Sequence, residues 1–446
     1  MGARDAQLGV VAMARHRAFR WAVVALPLAV TALLWALAKL EPPQTGLAPL
    51  RPLLALSQIS ALAAVVLMAL ALMLSARSRV LETIYGGLDK ALRVHRRLGE
   101  CALLLMLVHL LTLLPGATQL APLLLPFVEH WPKTLGVLSL WAFMLLSALA
   151  FWRRLPYQAW LLLHRWMGLP FLLGGAHAMG AASDVAGNEP LRFWMLLWVA
   201  LGALAWCYRM LFFPALGPRY DYRVERVVAR GAGAWDLLLQ PTAMRMNFEP
   251  GRFAFIAIRG VPGLPAEHHP FSISSSPAER QLRFSFKAVG DYTRALPLLQ
   301  RGTPVQVYGP FGHFTLHRLC RWRRMVWIGA GIGITPFLSM LAFEATNDDF
   351  RRIWLFHVVR HAQDAVYDGE IAQRIALADS WVDYVKWVSD ERGPLTAHAV
   401  LASLGAFDDC AFMICGPTAL ARELKRQLEQ RGVGSHRIMF EDFAFR

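Results

Sequence analysis

The chain is poor in cysteine and in charge, and poorest in acid. Five cysteines in 446 residues (Cys101, Cys207, Cys320, Cys410, Cys415), with no CxxC pair, supply neither a disulfide framework nor the ligand spacing of zinc or iron–sulfur centres. Charged residues make up 17% of the chain and hydrophobic ones 56%. That balance excludes a disordered or collagen-like chain and argues against a purely soluble enzyme, where about a quarter of residues are charged. Acids number 31 against 46 Lys and Arg, a net charge of +15. Length alone leaves room for about three domains at ~150 residues each.

The apolar residues gather in the first half. Six stretches (21–40, 53–76, 98–114, 134–152, 157–179 and 193–213) approach the roughly 20 helical residues that cross a bilayer core. The first, preceded by Arg15, Arg17 and Arg20, resembles a signal peptide, but its apolar run exceeds the usual ~7–15 residues and favours a retained helix. Lys and Arg concentrate before the first stretch, between the second and third, and between the fourth and fifth, against Arg51, Lys133 and Arg192 in the opposite loops. By the positive-inside rule both termini then face the cytoplasm of a multi-pass inner-membrane protein. About +10 of the +15 falls in residues 1–215, so the charge records topology and not nucleic-acid binding.

Four of the 14 histidines lie in or beside these stretches, as two pairs: His95 and His109 on the third, His164 and His177 on the fifth. Spacings of 14 and 13 residues separate the members of each pair by about 20 Å along a helix and leave them on nearly one side. The third and fifth stretches run in the same direction, so His95 falls level with His164 and His109 with His177. Two stacked bis-imidazole sites of this kind suit the axial ligation of two haems b. Arg96, Arg97 and Arg165 beside them fit either haem propionates or positive-inside anchoring.

From 219 onward, short alternating runs (220–228, 235–240, 252–259, 282–288, 305–308) predict an antiparallel β-barrel. Beyond 323, buried strands (325–328, 353–359, 411–415) alternate with helices (337–345, 368–378, 419–431), the pattern of a parallel α/β sheet. The expected fold class is thus a six-helix transmembrane bundle plus two soluble domains. The expected bounds are 1–20 for an N-terminal segment, 21–215 for the membrane domain, 216–322 for the barrel and 323–446 for the α/β domain. The turn Gly329-Ala330-Gly331-Ile332-Gly333-Ile334-Thr335-Pro336 follows a strand and precedes a helix, which fits a pyrophosphate cradle as well as a structural loop. HPFSISSSP (268–277 with its leading His268) and Lys287-Ala288-Val289-Gly290-Asp291-Tyr292-Thr293 offer aromatic, hydroxyl and cationic groups suited to a flavin, or a plain Ser-rich loop.

In this order HRRLG (95–99), LVHLL (107–111), LLHRW (162–166), GGAHAM (174–179), HPFSISSSP, VGDYT, YGPFG (308–312), GAGIGITP, CGPTAL (415–420) and FEDFAFR (440–446) resemble the bacterial ferric reductase-like transmembrane / NADPH oxidase family, a di-haem membrane domain fused to a ferredoxin–NADP reductase-type module. The resemblance implies FAD contacts from His269, Pro270, Phe271, Ser272, Ser274, Lys287, Gly290 and Thr293, with Phe443 (or Phe445) covering the flavin. It implies NAD(P)H contacts from Gly329, Gly331, Gly333, Thr335, Pro336, Cys415, Gly416 and Pro417. His269 stands where soluble reductases carry Arg, which leaves Lys287 and Arg294 to neutralise the pyrophosphate. Arg360 resembles a cation for a 2′-phosphate, a lean toward NADPH over NADH. No catalytic residue beyond the cofactors is implied. The implied activity moves electrons from NAD(P)H through FAD and two haems b to an outer acceptor, a ferric chelate or dioxygen. An alternative is a haem-flavoprotein subunit serving a periplasmic redox partner. A transporter fits poorly, since no spans are broken in a repeated way.

Overall fold

The computed structural model describes residues 17–39, 51–116, 121–126, 130–152, 154–181, 183–261, 264–265, 267–344, 351–377, 381–405, 407 and 409–441. The chain divides into two compact units, Met1–Leu216 and Gly217–Arg446.

The first unit is helical: α1 (Arg17–Ala38), α2 (Arg51–Ser75), α3 (Leu88–Leu113), α4 (Trp131–Phe151), α5 (Tyr157–Arg165), α6 (Gly168–Gly180) and α7 (Glu189–Cys207). Among the described residues, four segments are long and apolar enough to cross a membrane: Phe19–Ala38, Pro52–Ser75, Trp131–Phe151 and Glu189–Phe212. The two histidine-bearing stretches behave differently. Helix α3 begins ten residues before the expected 98, and its first half carries Asp89, Lys90, Arg93, Arg96, Arg97 and Glu100. The expected single helix over 157–179 is two helices. Pro170 has no amide to donate to the carbonyl one turn back and its ring crowds that carbonyl, so the chain turns at Trp166-Met167. The Trp166 carbonyl is taken by the Leu169 amide at 2.9 Å, which leaves the Arg165 carbonyl to accept from Trp206 Nε1 at 2.8 Å. Gly168 permits that packing, since a Cβ there would lie 2.2 Å from the Trp206 ring. Helix α2 packs along α3 and against α7, and supplies the largest share of the buried core among the described residues (Val66, Ala69 and Ala71 among others). Thr31, which bonds back to the Pro27 carbonyl within α1, accepts from Trp194 Nε1 of α7 at 2.9 Å.

The second unit has two sheets. The first contains β1 (Arg219–Gly231), β2 (Ala234–Pro241), β3 (Phe253–Ile258), β4 (His269–Ser272), β5 (Leu282–Lys287) and β6 (Pro304–Phe311), in the order β4-β3-β6-β1-β2-β5. Among the described residues, its edges β4 and β5 are linked by the isolated bridge Ile273↔Phe284, just beyond β4, and not by a continuous ladder. The expected barrel is therefore a curled, half-closed antiparallel sheet. The β1–β2 hairpin turns through Gly231, Ala232 and Gly233, all at positive φ.

The second sheet is wholly parallel: β7 (Arg324–Ala330), β8 (Arg352–Val359), β9 (Val382–Val388), β10 (Cys410–Cys415) and β11 (Ile438–Glu441), in the order β11-β10-β7-β8-β9. Helices α8 (Thr335–Glu344), α9 (Asp368–Leu377), α10 (Ala397–Leu404) and α11 (Thr418–Gln430) connect the strands. Strand order reverses between β7 and β10. Such switch points open a crevice at the carboxyl ends of the strands.

Candidate cofactor sites

In the helical unit, the His95 and His164 rings face each other with centres 5.8 Å apart and planes at 80°. A metal ion held at about 2.0 Å by one nitrogen of each imidazole sets ring centres roughly 6 Å apart, so the spacing of the pair fits two ligands of one metal. His95 Nδ1 donates to the Ala71 carbonyl at 2.8 Å. His109 Nδ1 lies 2.9 Å from the Ser57 carbonyl and 2.8 Å from its hydroxyl, and His177 Nδ1 lies 2.7 Å from the Pro132 carbonyl. In each of these three, the backbone bond selects the Nδ1–H tautomer and leaves the Nε2 lone pair for a metal. His164 differs: its Nδ1 is buried with no partner among the described residues, and its ring stacks on Trp160 (centres 5.1 Å, planes 10°). A Cβ on Gly99, one turn after His95, would meet nothing within 4 Å, whereas one on Gly136 would press to 2.7 Å from His177 Nδ1. Space beside one histidine and close packing behind another suit a planar group between α3 and its partners. Among the described residues no three His, Cys, Asp or Glu are grouped to hold a bare metal ion. Arg96 pairs with Glu100 at 2.8 Å, while Arg97 and Arg165 are exposed.

In the curled sheet, the two flavin-like segments meet through a residue the sequence did not single out. Tyr292 stacks on His269 with ring centres 3.6 Å apart and planes at 24°, and its hydroxyl is buried without a partner among the described residues. An orphaned hydroxyl beside a polar, half-buried imidazole fits a site that receives a hydrogen-bonding ligand. Glu267 was also missed; its carboxylate lies 2.9 Å from His269 Nε2. Burial pulls the His269 imidazole below its ordinary pKa, and the hydrogen bond and charge of Glu267 only partly offset this. Burial, reinforced by Glu267, pushes the Tyr292 phenol upward. Pro270 sits on edge strand β4, where a missing amide costs no ladder bond. Phe271 packs toward Phe284 and Phe286, and Ser272 is buried. Ser274 is fully buried, with its hydroxyl engaged by Ser285 (2.8 Å) and the Arg283 carbonyl (3.1 Å), so it braces the loop from behind. Thr293 Oγ1 accepts from the Gly290 and Val289 amides at 2.9 and 3.1 Å and shapes the turn before a short helix, Asp291–Ala295. Lys287 ends β5, 3.9 Å from Asp364.

At the switch point, β7 and β10 bring Gly329 level with Cys415. Gly333 is where the Gly-rich turn needs no side chain: a Cβ would lie 2.4 Å from the Cys415 carbonyl oxygen. Gly331 (φ 55°) and Gly416 (φ 155°) take left-handed backbone. Thr335 and Pro336 open helix α8, both buried, and Pro417 precedes α11. The Cys415 thiol is buried and pushed well up by burial and by Glu441. Arg360, exposed after β8, stands 3.5 Å from Asp390, which also lies 2.7 Å from His361 Nδ1. The expected 2′-phosphate cation therefore has an acid beside it, from the loop after β9. Phe443 and Phe445 lie outside the described residues.

The profile described as "Ferric reductase like transmembrane component" matches residues 60–175, "FAD-binding domain" matches 236–302 and "Oxidoreductase NAD-binding domain" matches 327–426. The chain carries a ferric reductase-like transmembrane domain followed by an FAD-binding and an NAD-binding domain. This ferric reductase-like chain is 24% identical over 208 residues to Sulfhydrogenase 2 subunit gamma of Pyrococcus furiosus (43% of this chain, 70% of that one). It is 32% identical over 123 residues to NADPH oxidase 1 of Mus musculus (26% of this chain, 20% of the oxidase). The flavohemoglobin of Malassezia yamatoensis aligns in structure over 89% of this chain and 98% of its own, with TM-score 0.52 at 17% identity, a likeness of fold alone. The chain thus spans only a fifth of the length of the oxidase it resembles.

Proposed function

We propose that this transmembrane oxidoreductase carries electrons from cytoplasmic NAD(P)H, through FAD and two bis-histidine haems b, to an acceptor on the outer side of the inner membrane. The adjacent imidazoles of His95 and His164 carry the reading, because ring centres 5.8 Å apart match the spacing of two imidazole ligands of one metal, and two such ligands are too few for a structural zinc site. On this reading α3 and the broken α5–α6 segment also cross the bilayer, making six spans with both termini cytoplasmic, and the domain bounds are those expected from sequence.

When bound, the nicotinamide, flavin and haems supply the hydride and one-electron chemistry. The chain's residues position them. Gly329, Gly331 and Gly333 let backbone amides approach the NAD(P)H pyrophosphate at the start of α8, with Thr335 and Pro336 forming the first helical turn. Gly416 and Pro417 carry the chain past the nicotinamide site beside Cys415, whose raised pKa keeps it a neutral thiol. His269, Tyr292 and Ser272 border the flavin, and Lys287 supplies the cation for its pyrophosphate. His95 and His164 hold the inner haem, His109 and His177 the outer. Since Asp390 faces Arg360, the structure supports NADH as the better donor, against the lean given by Arg360 alone.

Purified full-length protein titrated anaerobically with NADH or NADPH should show reduction of its haem absorption bands. Admission of ferric citrate or dioxygen then identifies the acceptor by the faster reoxidation. Reoxidation by neither supports the alternative, a periplasmic redox protein as partner. A haem content near zero, or haem that neither nucleotide reduces, refutes the proposal.

A further inference from the structure

The flavin and nucleotide lobes of the soluble unit meet in a buried polar seam away from both cofactor sites. Its centre is Arg283 on β5, whose side chain is only 7% exposed. Its Nη1 donates to Glu370 Oε2 at 2.8 Å, and its Nη2 donates to Glu370 Oε1 at 2.7 Å and to the Ser274 carbonyl at 2.8 Å. One guanidinium thus grips a carboxylate of the nucleotide lobe and the backbone of the flavin loop together. Behind it lies Asp236 of β2, fully buried, which accepts from Ser285 (2.6 Å) and Arg230 (2.6 Å) of its own lobe and from the Tyr367 hydroxyl of the other (2.9 Å). Two further bonds cross the seam: Ser339 Oγ of α8 donates to the Ser275 carbonyl at 2.6 Å, and Arg374 of α9 donates to Glu279 at 3.1 Å.

Desolvating such a cluster costs much of what its Coulomb energy returns, so apolar contact would join the lobes at no less stability. What the seam adds is direction. Two of its crossing bonds end on Ser275 and Glu279, at and just beyond the HPFSISSSP motif, and start from α8, which issues from the Gly-rich turn, and from α9; Arg283, which grips Glu370 of α9, also holds the Ser274 carbonyl. A slip of one lobe against the other would therefore move the flavin-bordering loop relative to the nucleotide turn.

We propose that Arg283 and Glu370 are positioning residues for hydride transfer, fixing the register in which nicotinamide meets flavin. The inference rests on the reading of this unit as an FAD- and NAD(P)H-binding reductase. Arg283 acts through the Ser274 carbonyl that it holds, and Glu370 through Arg283 and through α9, on which it lies. Burial works to raise the Glu370 pKa, but the hydrogen bond and charge of Arg283, aided by Arg374 and Arg230, hold it below the usual carboxylate range, so the fork stays ionised at neutral pH.

The test uses the full-length protein in detergent, with Glu370→Gln, Arg283→Lys and, as a milder probe that removes one hydroxyl from the seam, Tyr367→Phe. Stopped-flow flavin reduction by NADH under nitrogen is measured beside FAD content, nucleotide Kd and the long-wavelength charge-transfer absorbance of the nicotinamide–flavin complex. Misplacing reacting groups by about 1 Å can cost on the order of 100-fold. The expected result is hydride transfer slowed roughly 10- to 100-fold in Glu370→Gln, a weakened charge-transfer band, and FAD content and Kd close to wild type. Arg283→Lys keeps the charge without the fork and should be similarly slowed, with Tyr367→Phe intermediate. Unchanged rates and band in all three overturn the inference, as do losses confined to FAD content or folding. Wild-type protein whose flavin neither nucleotide reduces overturns the reductase reading, and this inference with it.

Discussion

Replacing Asp390 by Asn should shift the protein toward NADPH. The Asp390 carboxylate lies 3.5 Å from Arg360 Nε and 2.7 Å from His361 Nδ1, at the carboxyl ends of β8 and β9 where the adenosine end of a dinucleotide is expected. A 2′-phosphate reaching for Arg360 therefore comes close to an established anion, whereas a 2′-hydroxyl can donate to it. Both side chains are well exposed, at 78% and 47%, so their own pair contributes little to stability and the interaction is priced at the dielectric of water. Two unit charges 4 Å apart then interact by about 1 kcal/mol. A phosphate carrying about −1.5 to −2 charge at neutral pH is disfavoured by roughly 1.5–2 kcal/mol, about 10- to 30-fold in kcat/KM. Steady-state reduction with each nucleotide at low ionic strength measures this ratio. Wild type should prefer NADH, Asp390→Asn should raise kcat/KM for NADPH about 10-fold or more, and added salt should shrink the difference. A wild type that prefers NADPH, or a ratio indifferent to both the substitution and salt, refutes the reasoning.

Other substitutions address the remaining sites. His109→Ala should lower the haem-to-protein ratio from two to one in a pyridine haemochrome assay, and two retained haems would remove His109 from the ligand set. Gly333→Ala forces a methyl group against the Cys415 carbonyl, where it would sit at 2.4 Å; the expected cost is ~1–3 kcal/mol, read as raised KM for either nucleotide with FAD content unchanged. A depressed His269 pKa means that the unfolded chain binds more protons near and below pH ~6.5. The flavin lobe should then lose stability as pH falls through that unfolded value and stop losing it below the folded one. Thermal melts from pH 8 to 5 should show that slope reduced in His269→Asn, and an identical slope would assign it elsewhere.

Much of the architecture was legible because its signals are local. The parallel sheet followed from short apolar runs around Gly-rich turns, and the FAD lobe from alternation. Strand β9 (burial pattern mixed, with Asp383 and Lys386 inside it), four-residue β11 and eight-residue α10 were missed, being too short or too polar to stand out by period. Ser274 lies in the motif that implies a flavin contact, and the fold also gives its hydroxyl partners in Ser285 and the Arg283 carbonyl, which the sequence does not reveal. Tyr292, Glu267 and Asp390 act through partners that only the folded chain brings near: Tyr292 reaches back 23 residues to His269, and Asp390 faces Arg360 from the segment after the neighbouring strand. A signal for the first was present, an aromatic inside VGDYT, but its period pointed nowhere in particular.

A continuous helix over 157–179 would set the histidine pairs level, but the chain turns at Trp166-Met167. His95 and His164 still face each other because both precede or lie outside that turn: His164 is in the last turn of α5, and Trp160 one turn earlier stacks on it. The turn separates His164 from His177 and gives each its own means of orientation. His177 follows Pro170 on α6 and is held by the Pro132 carbonyl at the start of α4, with Gly136 one turn on leaving room for its ring. His164 has no such carbonyl and depends on an aromatic stack, which fixes the plane of the ring without choosing its tautomer. A donor bond at Nδ1 makes the other nitrogen a stronger electron donor to a metal. Three of the four imidazoles therefore share one electronic setting, and the one nearest the helix break stands apart from them.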